Sequence, residues 1–307
     1  MRVAAVDLGT NTTRLLVADV DDGRVAEVHR ETHITRLGED VDARKRLLPL
    51  PIARVRNVLT DYRRTLERLG AERTLAVATS AVRDAENGEA FLGEIEWSYG
   101  FATRLVGGDE EAQLTRRGVE PQPGTLVLDI GGGSTELIVD DFHVSLDVGS
   151  VRFTERFVHT DPPPREELDA CGRAAREALA AHADVHASRA IGVAGTVTSL
   201  AALDLGLERY DRERVHGHQL TREGAAAQLE RLAALPLAER REVPALDPDR
   251  AHVIVAGGVI LLAVLDTFKL DAIEVSERDI LDGIALAAAE LPEPGEGDAP
   301  PGAYTCC

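Results

Sequence analysis

Asp129, Gly131, Gly132, Gly133, Ser134, Thr135 and Glu136 stand together in LVLDIGGGSTELIVDD, residues 126–141, with apolar, strand-like runs on both sides. Glycine permits positive φ and lets another group come close to main-chain N–H donors, from which anion-binding nests are built. Hydroxyls at Ser134 and Thr135 suit a phosphate oxygen, and the carboxylates of Asp129 and Glu136 are hard oxygen ligands for Mg2+ or Ca2+. A metal-bound phosphate fits both halves of the motif. A β-hairpin whose glycines merely turn the chain is the alternative, and one isolated GGGS leaves it open.

The motif is not isolated. Residues 3–19 read VAAVDLGTNTTRLLVAD, and a shift of roughly 122 places lays Asp7 on Asp129, Gly9 on Gly131 and Thr12 on Ser134. Two units of strand, acid, glycine, hydroxyl and strand point to a duplicated α/β domain, with chance similarity between two β-hairpins as the alternative. Two phosphate-gripping turns facing one cleft are the expected consequence.

Those turns need elements to position them. Three short strands over 2–33 precede a helix in IARVRNVLTDYRRTLERLG, closed by Gly70, and then a strand at 74–80. A helix near 87–97 follows, and DEEAQLTRRGV reads as another, with acids in its first turn where the helix dipole favours them. PQPG, 121–124, reads as a hinge. The second half repeats the scheme, with strands over 125–148 and helices around 150–158 and 164–184. AIGVAGTVTSLAAL, 190–203, reads as strand, glycine turn and helix. Its helix N-terminus at Gly195 and Thr196 suits an anion, and tight strand–helix packing is the alternative. An apolar helix after 247, the strand AIEVS and a helix at 278–290 end the folded part, and 291–307 reads as a disordered tail.

Composition excludes several classes. The chain has 307 residues and a formal charge of −19, with lysine only at Lys45 and Lys269, which argues against a nucleic-acid binder. A polyanionic ligand would need nests, selected arginines and a metal to reverse the potential locally. Cys171, Cys306 and Cys307 have neither disulfide-framework nor zinc spacing. The longest apolar run, 253–265, is too short for a membrane span, and no export signal is legible, so a cytoplasmic protein is expected. P-loop, dinucleotide-fold and zincin signatures are missing. His216 and His218, in VHGHQLT, could bind a metal but sit beside no acidic pair, and read as structural or as supporting a site from behind.

VDLGTNTTR, ITRLG, VATSAVRDAENGEAF, GGDEEAQL, DIGGGSTEL, VGSVRFTERF, GVAGTVTSLAAL, VHGHQLT and DILDGIA together resemble the exopolyphosphatase and guanosine pentaphosphate phosphatase family, within the superfamily of actin, Hsp70 and sugar kinases. The resemblance implies two ribonuclease H-like, actin-like ATPase lobes around a central cleft, in the short two-domain form. The first lobe is 1–120, with helix 278–290 packing back on it, and the second is 121–290. It implies hydrolysis of the terminal phosphate of inorganic polyphosphate, or of guanosine pentaphosphate, with Mg2+ or another divalent cation. A homodimer is the assembly it allows.

Carried over by position, the first phosphate loop falls on Gly9, Thr10, Asn11 and Thr12, and the second on Gly131, Gly132, Gly133 and Ser134. Asp129 and Glu136 match the acids associated with the divalent ion, and Asp7, at the matching place of the first turn, is a third candidate. Arg83 matches the substrate-side cation. Glu111 matches the glutamate proposed to activate water, with Glu110 beside it as the alternative. GGDEEA and ARKRLLPLP, 43–51, depart from the usual family pattern.

Overall fold

The computed structural model of the chain describes residues 1–187 and 189–292. Contacts divide it into two compact units, Met1–Val119 together with the segment from Ile280, and Glu120–Asp279.

The first unit begins with β1 (Arg2–Leu8), β2 (Thr12–Asp21) and β3 (Arg24–Ile34), an antiparallel meander. Then come α1 (Val41–Arg44), α2 (Pro49–Leu69), β4 (Arg73–Ala78), α3 (Ser80–Arg83), α4 (Gly88–Tyr99), β5 (Ala102–Leu105) and α5 (Gly108–Val119). The sheet order is β3-β2-β1-β4-β5, with β4 parallel to β1 and β5 parallel to β4.

Strand periodicity sorts the side chains. Ala4, Val6 and Leu8 join Leu15 and Val17 in the core under α2 and α4, while Val3 and Ala5 join Leu16 and Ala18 on the other face. Asp7 and Arg14 share the parity of that second face. α2 starts at Pro49 and ends at Gly70, whose φ of 71° lets its N–H reach Leu66 O at 2.9 Å. In the atypical 43–51 segment no glycine is present, and Lys45 takes the left-handed conformation that closes α1, at φ 52°.

The second unit holds β6 (Thr125–Ile130), β7 (Thr135–Val139), β8 (Phe142–Leu146), α6 (Ser150–Phe157), α7 (Arg165–Leu179), β9 (Arg189–Val193) and α8 (Ala194–Asp204). Between 204 and 246, where apolar periodicity assigns nothing, lie α9 (Arg212–Val215), β10 (Gln219–Thr221), α10 (Arg222–Ala233) and α11 (Leu237–Arg240). The signals there are local: Asp211 caps α9 by accepting from Glu213 and Arg214 N–H, and Thr221 caps α10 by accepting from Gly224 N–H. α12 (Ile254–Thr267) and β11 (Ala272–Val275) complete the unit.

Its sheet runs β10-β11-β9-β6-β7-β8. Reversed, β8-β7-β6-β9-β11 reproduces the first sheet, with the same antiparallel pairs and the same parallel pairs. The duplication seen in the turns therefore extends to the whole sheet, and each unit is a ribonuclease H-like α/β fold. α13 (Ile280–Ala289) then packs on the first unit, where Ile280, Leu281, Ile284 and Ala288 share a core with Val3, Ala5, Leu75 and Leu114. No helix among the described residues is long and apolar enough to cross a membrane. The expected disordered tail lies, from residue 293, outside the described residues.

Candidate active site

The two glycine turns have the same construction. Gly9 N–H donates to Thr12 O at 2.9 Å, and Gly131 N–H donates to Ser134 O at 3.0 Å. A Cβ on either glycine would crowd that carbonyl, at 3.1 Å from Thr12 O and 3.2 Å from Ser134 O. Glycine thus serves these turns through the close approach of the chain, and not through positive φ, which none of Gly9, Gly131, Gly132 and Gly133 adopts.

Other carbonyls of the two turns are tied to neighbouring chain. In the first, Thr10 O accepts from Gly38 N–H at 2.8 Å, and Asn11 O accepts from Thr35 and Arg36 N–H at 3.1 and 2.9 Å. In the second, Gly131 O accepts from Ser150 N–H, and Gly132 O accepts from Val151 and Arg152 N–H, at 2.8 to 3.1 Å. Gly133 O accepts from Arg152 Nε at 2.7 Å. With the carbonyl oxygens drawn onto these donors, each turn offers a ligand N–H and hydroxyl donors, the polarity a phosphate needs. Asn11 strengthens the case in the first turn. The residue is 6 % exposed, and neither buried amide atom of its side chain has a protein partner, an expensive arrangement unless a ligand or water completes it.

Arg83 and Glu111 are brought together. Arg83, ending α3, donates from Nη1 to Glu111 Oε2 at 3.2 Å and to Val106 O at 3.1 Å. Glu111 is buried on α5, whereas Glu110 points outward and pairs with Arg104 at 3.1 Å. Helix geometry thus separates two residues that the sequence leaves as alternatives. Thr10 also reaches this segment, its hydroxyl sharing a hydrogen bond of 3.3 Å with Ser80, the first residue of α3.

The acids divide by unit. Asp129 and Glu136 are cross-strand neighbours on β6 and β7, both buried, and Ser145 Oγ donates to Glu136 Oε1 at 2.7 Å. Two adjacent carboxylates are a suitable protein contribution for Mg2+, which completes its shell with water and substrate oxygens. Asp7 is different, because Arg14 Nε and Nη2 both contact its Oδ2, at 2.8 and 2.7 Å. Among the described residues no group of three or more His, Cys, Asp or Glu side chains is arranged to hold a metal.

Gly195 and Thr196 lie in the first turn of α8 as read from sequence. A Cβ on Gly195 would sit 1.8 Å from Arg250 Nη1, so the close neighbour there is a guanidinium. Arg250, Arg152, Gly149 and Arg14 escaped the sequence reading. For Arg14 alone a signal existed, since it occupies the place in the first repeat that Glu136 holds in the second. His218 pairs with Asp204 at 2.8 Å and His216 Nδ1 accepts from Glu277 N–H, which gives both imidazoles a place in the packing of the second unit.

Known proteins resemble this chain in sequence and fold. Exopolyphosphatase 2 of Mycobacterium tuberculosis (strain ATCC 25618 / H37Rv) is 38% identical, over 94% of this chain and 98% of its own. A solved exopolyphosphatase-like protein is 34% identical, with a TM-score of 0.88 over 95% of this chain and 100% of its own. The Aquifex aeolicus member of the Ppx/GppA family is 30% identical, with a TM-score of 0.79 over 94% of this chain and 98% of its own. The model of the Ppx/GppA phosphatase family matches residues 16–290, and the chain belongs to that family.

Proposed function

We propose that the protein is an exopolyphosphatase, releasing orthophosphate from the end of inorganic polyphosphate. The observation that carries this reading is the repeated turn: two backbone cradles of one design, closed by the same Gly N–H to carbonyl bond and with carbonyls tied to neighbouring donors. A cradle of this design binds phosphate without requiring recognition of a base.

In this reading the turns at Gly9–Thr12 and Gly131–Ser134 bind phosphate oxygens, and the Asn11 amide completes its hydrogen bonds there. Glu111 accepts the proton of the attacking water as its oxygen bonds to the terminal phosphorus, and the phosphoanhydride oxygen departs with the shortened chain. General-base help of this kind contributes about 10² to 10⁴-fold. Arg83 holds the Glu111 carboxylate in place and adds positive charge for the phosphoryl oxygens. Asp129 and Glu136 would hold a divalent cation, which when bound supplies charge neutralisation for the phosphates. In phosphoryl transfer, positioning and electrostatics do most of the catalytic work.

Phosphate release should be measured on polyphosphates of defined length and on guanosine pentaphosphate side by side, with Mg2+ and with EDTA. Release from polyphosphate that EDTA abolishes is expected. Preference for the nucleotide would make the protein a guanosine pentaphosphate phosphohydrolase. Phosphorylation of an acceptor by ATP without hydrolysis, or tight binding without turnover, would overturn the proposal.

A further inference from the structure

Arg36, in the loop between β3 and α1 that backs the first turn, takes a left-handed backbone at φ 52° although it is not a glycine. That conformation is costly for a residue with a side chain and persists where the surroundings hold it. Two carbonyls flank the residue, Thr35 O and Arg36 O, and one side chain reaches both. Arg54 of α2 donates from Nε to Thr35 O at 2.6 Å and from Nη2 to Arg36 O at 3.4 Å. The same Nη2 donates to Glu39 Oε2 at 2.6 Å, so the guanidinium spans the loop from residue 35 to residue 39.

We propose that Arg54 is a positioning residue for the first phosphate turn, acting from α2 through this loop on Asn11. The inference deepens the phosphohydrolase reading and rests on its assignment of the first turn to phosphate. In this role Arg54 touches no substrate; it sets the backbone from which Asn11 projects.

The path is continuous within the first unit. Thr35 and Arg36 N–H both donate to Asn11 O, at 3.1 and 2.9 Å. The Arg36 N–H lies in the same peptide unit as Thr35 O, so a cation bonded to that oxygen polarises the N–H and strengthens its bond to Asn11 O. Gly38 N–H holds the neighbouring Thr10 O at 2.8 Å, and a Cβ on Gly38 would stand 2.3 Å from Thr10 Cγ2, so loop and turn are in direct contact. α2 also ties down the start of β2, because the Tyr62 hydroxyl donates to Thr13 O at 2.9 Å. Without the guanidinium, that tie keeps β2 in place while the loop is released. Asn11 carries the consequence: its buried amide has no protein partner, so the backbone beneath it decides where it points.

The test compares the full-length chain with Arg54→Met and Arg54→Lys. Hydrogen exchange read by mass spectrometry should accelerate at least about fivefold at the Thr35 and Arg36 amides in Arg54→Met, with partial recovery in Arg54→Lys and no change around Tyr62. KM for polyphosphate should rise at least about fivefold in Arg54→Met with kcat within about threefold. In an Asn11→Ala background the same substitution should change KM less than about twofold, because its route to the phosphate has been removed. Unchanged exchange at residues 35 and 36, a KM within about twofold of the unmodified chain, or an undiminished effect in the Asn11→Ala background would each overturn the proposal. If Arg54→Met does not fold, Arg54→Lys carries the same comparison. A chain that hydrolyses no polyphosphate would sink the substrate reading, and calorimetric binding of inorganic phosphate then decides this assignment: at least about fivefold weaker binding in Arg54→Met supports it, and equal binding or none by the unmodified chain overturns it.

Discussion

Arg83 Nη1 donates at once to Glu111 Oε2 and to Val106 O, so the guanidinium ties the end of α3 to the buried carboxylate of α5. The contact fixes the orientation of Glu111 and leaves Glu110 on the outside of the same helix, paired with Arg104. Glu111→Gln should lower kcat by about 10² to 10⁴-fold with little change in KM, while Glu110→Gln should stay within about threefold of the unmodified enzyme. Steady-state phosphate release from polyphosphate checks both. Arg83→Lys should recover only part of what Arg83→Ala loses, because an ammonium cannot reproduce the planar fork.

The second turn leans on Gly149. A Cβ there would lie 2.3 Å from Gly132 O and 2.4 Å from Gly133 C, both main-chain atoms that cannot swing aside. Gly149→Ala should displace the turn, raising KM for polyphosphate at least about tenfold and costing about 1–3 kcal/mol of stability. Kinetics and urea denaturation of the same preparation measure the two effects.

α13 approaches α5 through another glycine. A Cβ at Gly283 would meet Leu114 O at 1.9 Å, so Gly283→Ala must push the helices apart. A loss of about 1–3 kcal/mol is expected in chemical denaturation. Gly93 in α4 is the opposite case, exposed with open space at its Cβ, and Gly93→Ala should stabilise the protein by about 0.5–1 kcal/mol. Equal effects from the two substitutions would contradict this packing.

Burial pushes the Cys171 thiol up to about 12 from its ordinary value of 9.0. A raised thiol favours the protonated folded state, so this contribution to stability is fully present below pH 9.0 and is lost as pH rises toward 12. The folded chain should therefore resist iodoacetamide at Cys171 at pH 8.5, and react there only after unfolding in urea. Mass spectrometry of the Cys171 peptide reads the outcome.

Much of this molecule could be read from the chain, because its defining features are local. A strand that stops on an acid, turns on glycine and resumes after a hydroxyl is written in consecutive residues, and its recurrence at Asp7 and Asp129 disclosed the duplicated α/β fold. The pairs Asp211 with Glu213, and Thr221 with Gly224, were equally local, but their apolar periodicity was too weak to mark the elements they cap. Tertiary structure decided what depends on distant partners. It buried Glu111 and left Glu110 outside with Arg104 by setting which face of α5 packs inward. It placed α13 beside β1, joined Arg152 to Gly133, and set the Arg14 guanidinium on Asp7. Propensity and spacing act over a few residues, whereas the partner of a buried charge is set by strand register and helix packing across the whole unit, and only the folded chain specifies those.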